Sequence, residues 1–192
     1  MKTILSLEAL RTYIEESMPE PDVDDPLLRA PRQLRGVDRN GAPVVYLLPA
    51  ELVAVGGDSP RTLTTILGSC VSVCLWDRRG RGGGMNHYLL PRGSAEAQPS
   101  PRYGATAIPM LISRIVALGA ERSDLRAKVF GGAHVLETSP AGGRTLGGDN
   151  VQLAIATLRD EGIQVISEDV GGARGRKLAF NTFDGTALVW RL

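Results

Sequence analysis

Cysteine and histidine, the side chains that most often supply nucleophiles and bases near neutral pH, are scarce in this chain: two of each occur among 192 residues. Two cysteines exclude a small disulfide-stapled scaffold. Charge of one sign is also lacking. With 22 basic and 21 acidic side chains the net charge is +1, which leaves no broad electrostatic footprint for nucleic acid or an acidic membrane surface. Long apolar runs are absent, and none approaches the roughly 18 residues that a spanning helix needs. The opening "MKTILSLEAL" is interrupted by Glu8 and Arg11, short of a signal-peptide core, so a cytoplasmic protein with no membrane insertion is expected. Apolar residues make up 43% of the chain, enough for one domain to bury a substantial core.

The first 41 residues differ from the rest. "SLEALRTYIEESM" places Leu7, Leu10 and Tyr13 at helical spacing behind a serine, and the proline-rich "PEPDVDDPLLRAPRQLRGVDRNGAP" reads as an extended connector. Residues 1–41 are therefore expected to be an N-terminal extension, and 42–192 the functional domain. From Val44 onward, short apolar runs punctuated by glycine read as strands: "VVYLL", "ELVAVGG", "TLTTIL", "CVSVCLW" and "GGGMNHYLL". Ile108, Leu111, Ile112, Ile115 and Val116 recur at helical spacing up to Gly119, with Pro109 acceptable only in the first turn. A second helix is expected over "DNVQLAIATLRDEG", capped by Asp149 or Asn150. "LRAKVFGG", "GIQVISEDVGG", "RKLAFNT" and "TALVWRL" supply further strands. Strands and helices mixed in this order predict α+β architecture with helices outside one or two sheets.

Cys70 and Cys74, on one strand, would hold their Cα atoms roughly 13 Å apart, too far for a disulfide. Both are expected as free thiols. A free cysteine beside valines usually packs in a core, and Cys74 reads that way. Cys70 follows Gly68 and Ser69, where a tight turn can leave backbone N–H groups open to a developing oxyanion. His87, behind three glycines, enters a second strand-like run, and a hairpin would bring it beside Cys70 as a thiol–imidazole pair. A structural histidine remains the competing reading. The spacing of Cys70, Cys74 and His87 also imitates three ligands of a zinc finger, but positions 91 to 93 are Pro91, Arg92 and Gly93, so the fourth ligand fails and no metal or cofactor is expected. Arg78, Arg79 and Arg81 read as a solvated hairpin tip, with an anionic partner as the alternative.

Five motifs in order, "TxxLGSCVxVCxxD", "GGMNHxLLP", "YGxxAIPxLxxxxxxLGA", "KVFGGA" and "SEDVGGxRGRKLxFxxxxG", resemble the chemoreceptor glutamine deamidases of the CheD family from about Val53 to Val189. The resemblance implies a layered α/β/β sandwich of mixed sheets with outer helices, akin to the fold of the cytotoxic necrotizing factor deamidases. It also implies a catalytic Cys70, His87 and Thr64, the threonine six residues before the cysteine, with backbone groups at Gly68 and Ser69 serving the oxyanion. Asp149 departs from the family pattern, which commonly has arginine there, and His134 stands where small or polar residues are usual.

The activity implied is conversion of receptor glutamines to glutamate through a thioester, with methyl-accepting chemotaxis proteins as substrate and, in some bacteria, a CheC-type phosphatase as partner. The rival reading is a binding module that docks on receptors or on such a phosphatase. Thr64 and Thr65 point to opposite faces of one strand, so only one of them can meet the imidazole.

Overall fold

The computed structural model describes residues 33–38, 41–94, 97–134 and 145–192. The helix expected near residues 6–18 lies outside them. The compact unit that holds the described residues begins at Pro31.

Two five-stranded sheets stack face to face. The first runs β1 (Gln33–Val37), β2 (Pro43–Tyr46), β4 (Thr62–Leu67), β9 (Arg176–Asn181) and β10 (Ala187–Arg191). In the second the order is β3 (Glu51–Gly56), β6 (Gly82–His87), β5 (Val71–Asp77), β7 (Leu125–Gly131) and β8 (Gln164–Val170). Each contains one parallel pair, β2 with β4 and β7 with β8, so both are mixed. Helices α1 (Gly104–Ala117) and α2 (Leu146–Asp160) cover the outer face of the second sheet, which gives the expected α/β/β layering.

Strand alternation explains why the second sheet is apolar on both sides. Val71, Val73 and Leu75 of β5 meet Ile108, Leu111, Ile112 and Ile115 of α1, while Cys74 and Trp76 turn the other way toward Leu63, Leu67, Leu178 and Phe180 of the first sheet. Every residue of β5 and β6 is buried in consequence. Such central strands read as near-continuous apolar or glycine-rich runs, the texture seen in the sequence.

Three local expectations need correction. Gln33–Val37, taken as connector, forms an edge strand antiparallel to β2. An edge strand tolerates prolines close to it in the sequence, and Pro43 takes the first position of β2, where a strand also accepts proline. Pro109 sits in the sixth position of α1, beyond the first turn, where its ring removes one helical bond. The buried stripe of Ile108, Leu111, Ile112 and Ile115 holds the helix across that defect. Helix α2 starts ahead of Asp149 and Asn150: Thr145 is its cap, with Oγ1 accepting from Gly148 N at 3.1 Å. Glycines at 147 and 148 hid the first turn because their helix propensity is low.

The hairpin-tip arginines are engaged within the chain. Arg78 and Arg79 pair with Asp124 at 3.0 and 2.9 Å, and Arg81 bonds Asp77, Glu121 and Asp124. Chiefly through Arg78, the cluster holds the Asp124 carboxyl below its ordinary range.

Candidate active site

Strand β4 carries its odd-numbered residues, Leu63, Thr65 and Leu67, into the space between the sheets. The side chain of Thr65 is fully buried there. Its hydroxyl donates to the Leu47 carbonyl at 2.8 Å, and the same oxygen lies 2.8 Å from His87 Nδ1. A hydroxyl has one proton, and Leu47 takes it. Oγ1 is therefore the acceptor toward the ring, Nδ1 carries the imidazole proton, and Nε2 keeps a free lone pair.

His87 is only 2% exposed, and Nε2 has no hydrogen-bond partner, the Cys70 thiol included. Burial pulls the imidazole down to about 4, with the Leu47 backbone opposing in part. Neutral imidazole with a bare Nε2 is the form a general base requires.

Thr64, the threonine expected beside the imidazole, does not reach it. Its hydroxyl donates to the Leu178 carbonyl at 2.7 Å on the neighbouring strand β9. The reason is the pleat: Thr64 and Thr65 lie on opposite faces of β4, and only Thr65 faces the second sheet.

Cys70 stands in the turn between β4 and β5, immediately before Val71. Val71 and Tyr88 exchange both backbone bonds, at 3.1 and 3.0 Å, in the register that Cys74 and Met85 also keep. Cys70 and His87 flank this pair diagonally and project into the same inter-sheet space, where such neighbours are about 7–8 Å apart. The thiol is partly exposed, whereas Cys74 is completely buried. Desolvation raises the Cys70 thiol, opposed by its own backbone amide. Both shifts favour neutral thiol beside neutral imidazole at rest.

The Cys70 turn is anchored through its carbonyls. Gly68 O accepts from Ala133 N at 2.8 Å and Cys70 O from Gly132 N at 2.8 Å. Gly131, at φ +114°, is forced by this packing, since a Cβ there would lie 2.1 Å from Cys70 O. No carbonyl or side-chain oxygen among the described residues takes the N–H of Ser69 or Cys70. These are donors suited to a developing oxyanion.

Two asparagines of the site carry no motif in the sequence. Asn86 Oδ1 accepts from Val73 N at 2.8 Å, interrupting the β5–β6 ladder beside His87. Asn150, fully buried in the first turns of α2, reaches Ser69 and Leu89. Their only sequence signal was polarity inside apolar or glycine-rich runs. Among the described residues no group of three or more His, Cys, Asp or Glu side chains could hold a metal ion, and no helix is long and apolar enough to cross a membrane. A cleft of about 470 Å³ beside Arg61 and Asn181 lies at the opposite end of β4 from the Cys70 turn.

Comparison with known proteins gives a consistent set of likenesses. The family model described as CheD chemotactic sensory transduction matches residues 89–191. The Probable chemoreceptor glutamine deamidase CheD 1 of Anaeromyxobacter dehalogenans is 49% identical over 79% of this chain and 86% of its own. A protein of Trichlorobacter lovleyi named Probable chemoreceptor glutamine deamidase CheD is 46% identical over 67% of this chain and 80% of its own. The equivalent protein of Rhodospirillum rubrum is 44% identical over 78% and 83%. Among solved structures, a Neisseria meningitidis protein of the family DUF152 aligns over 70% of this chain and 64% of its own, with a TM-score of 0.40 and 15% identity, too distant to inform the site.

Proposed function

The chain belongs to the CheD family, and from that premise we propose that it is a protein-glutamine deamidase of bacterial chemotaxis in which Cys70 is the nucleophile, His87 the general base and acid, and Thr65 the residue that fixes the imidazole. One observation carries the reading above all. Thr65 leaves His87 Nε2 as a free lone pair in the same inter-sheet space as the Cys70 thiol.

The chemistry follows from these protonation states. With the thiol raised and the imidazole lowered, the resting pair is neutral, so the proton moves as the bond forms. Nε2 takes the Cys70 proton while sulfur attacks the side-chain amide carbon of a glutamine. Oxygen then carries the negative charge, facing the Ser69 and Cys70 amides, and each such donor is worth about 3–4 kcal/mol in comparable sites. The C–N bond breaks and the imidazolium returns its proton to the departing ammonia. A water then gives a proton to Nε2 and its oxygen to the thioester carbon, the C–S bond breaks, and the thiol is restored as glutamate leaves.

The substrate proposed is the cytoplasmic helical region of methyl-accepting chemoreceptors, where a neutral amide becomes a carboxylate. Each new charge alters i,i+4 pairing by a few tenths of a kcal/mol, roughly 0.2–0.5. Mass spectrometry of a receptor cytoplasmic fragment incubated with this protein tests the reading. Wild type should convert particular glutamines to glutamate and Cys70→Ala should convert none; conversion by Cys70→Ala at the wild-type rate would refute it, and a wild type inert on every co-occurring receptor would favour a docking module.

A further inference from the structure

Beyond the Val71–Tyr88 pair, strands β5 and β6 part, and a side chain from α2 fills the fork. In the antiparallel register the next donor to Ser69 O would be the Leu90 N–H, but that amide bonds Arg102 O at 3.2 Å, while Leu90 O accepts from Gly104 N at 2.8 Å. Asn150 takes the vacated place. Its Nδ2 donates to Ser69 O at 3.1 Å and to Leu89 O at 2.9 Å. Two carbonyl acceptors fix which end of the carboxamide is the NH₂. The Asn150 backbone is held in turn by Tyr88 Oη, which donates to Asn150 O at 2.6 Å.

A trans peptide is planar, with its C=O and the following N–H pointing in opposite directions, and no described peptide is cis. Whatever holds Ser69 O therefore aims the Cys70 N–H. We propose that Asn150 is a positioning residue for acyl transfer: its amide group clamps the Ser69 carbonyl in the place a ladder amide would take and so keeps the Cys70 N–H, on the opposite side of that peptide, turned toward the oxyanion where the ladder itself no longer holds it. The inference rests on the reading of Cys70 as nucleophile.

The test compares two reactions of the same sulfur. Acetylation of Cys70 by p-nitrophenyl acetate passes through an oxyanion: the thiolate forms a C–S bond at the ester carbonyl and nitrophenolate leaves with the C–O electron pair. Alkylation by iodoacetamide is a direct displacement of iodide with no oxyanion. Both adducts are read by mass on the full chain, with thermal melts alongside, for wild type, Asn150→Ala and the isosteric Asn150→Asp, which lacks the NH₂ donors. Acetylation should fall about 10²-fold to 10³-fold in the variants while alkylation stays within about threefold. On a receptor fragment, kcat should fall by the same factor with KM kept. Acetylation and alkylation falling together, neither changing, or both variants failing to fold would make Asn150 an ordinary structural residue and overturn the proposal. A wild type that acetylates and responds to Asn150 as stated, yet deamidates no receptor, would instead sink the deamidase reading alone.

Discussion

Thr65 Oγ1 and His87 Nδ1 stand 2.8 Å apart, joining the centre of one sheet to the end of a strand in the other, while the Thr65 proton is committed to Leu47 O. A single neutral hydroxyl thus sets the tautomer and the orientation of the imidazole without burying a charge.

Thr65→Val keeps the shape and removes the acceptor. The ring then loses its preferred tautomer, and turnover should fall about 10-fold to 10³-fold on the scale of general-base effects. Leaving Nδ1 and Leu47 O without their partner should also cost about 1–3 kcal/mol of stability. Thr64→Val removes only the bond to Leu178 O, so it should cost about 1 kcal/mol and leave turnover near wild type. Kinetics and melts of the two variants check this, and damage confined to Thr64→Val would reverse the assignment.

That pair also shows what the sequence could and could not convey. The glycine turn, the histidine seventeen residues on and a strand–helix order that means α+β are legible in the sequence, while the layered sandwich and the threonine six residues before Cys70 come from the family resemblance. Which of two adjacent threonines meets His87 depends on the face each presents, and that is set by how β4 stacks on β6, a property of tertiary packing. Asn150 was equally hidden: a polar residue at the start of a helix reads as a cap, whereas here Thr145 caps the helix and Asn150 turns inward. The edge strand Gln33–Val37 is hidden because surrounding prolines argue against central strands but not against edges.

The depressed imidazole makes two predictions about pH. Activity needs neutral His87, so the acid limb of kcat/KM should lie near pH 4, well below the ordinary histidine range. For stability, the folded pKa lies below the unfolded one, so between about pH 6.5 and 4 the unfolded chain binds a proton the native site refuses. Stability contributed by keeping His87 neutral is thus complete above that window and falls as pH drops through it, by about 3 kcal/mol in all. His87→Gln should flatten this segment of the stability curve in denaturant titrations; an unchanged slope would place the titrating group elsewhere.

Gly131 separates close packing from backbone preference. A Cβ at 131 would meet Cys70 O at 2.1 Å, whereas at Gly119, with a similar φ of +100°, it would meet nothing within 4 Å. Gly119→Ala should cost about 1–2 kcal/mol from the left-handed backbone alone. Gly131→Ala adds displacement of the nucleophile turn and should cost about 2–4 kcal/mol with a marked loss of turnover. Melting temperatures and rates for both variants decide the point, and equal costs would mean that the turn yields freely.

The proposed reaction is covalent: the glutamine side chain becomes a thioester on Cys70. Acid-quenching the protein during its first turnover of a glutamine-containing receptor peptide, followed by intact-mass and fragment analysis, reads that intermediate. The expected result is an adduct on Cys70 equal to the peptide less one ammonia, absent from Cys70→Ala and never on Cys74. Glutamate formed at the wild-type rate with no such adduct, or an adduct on any other residue, would contradict it.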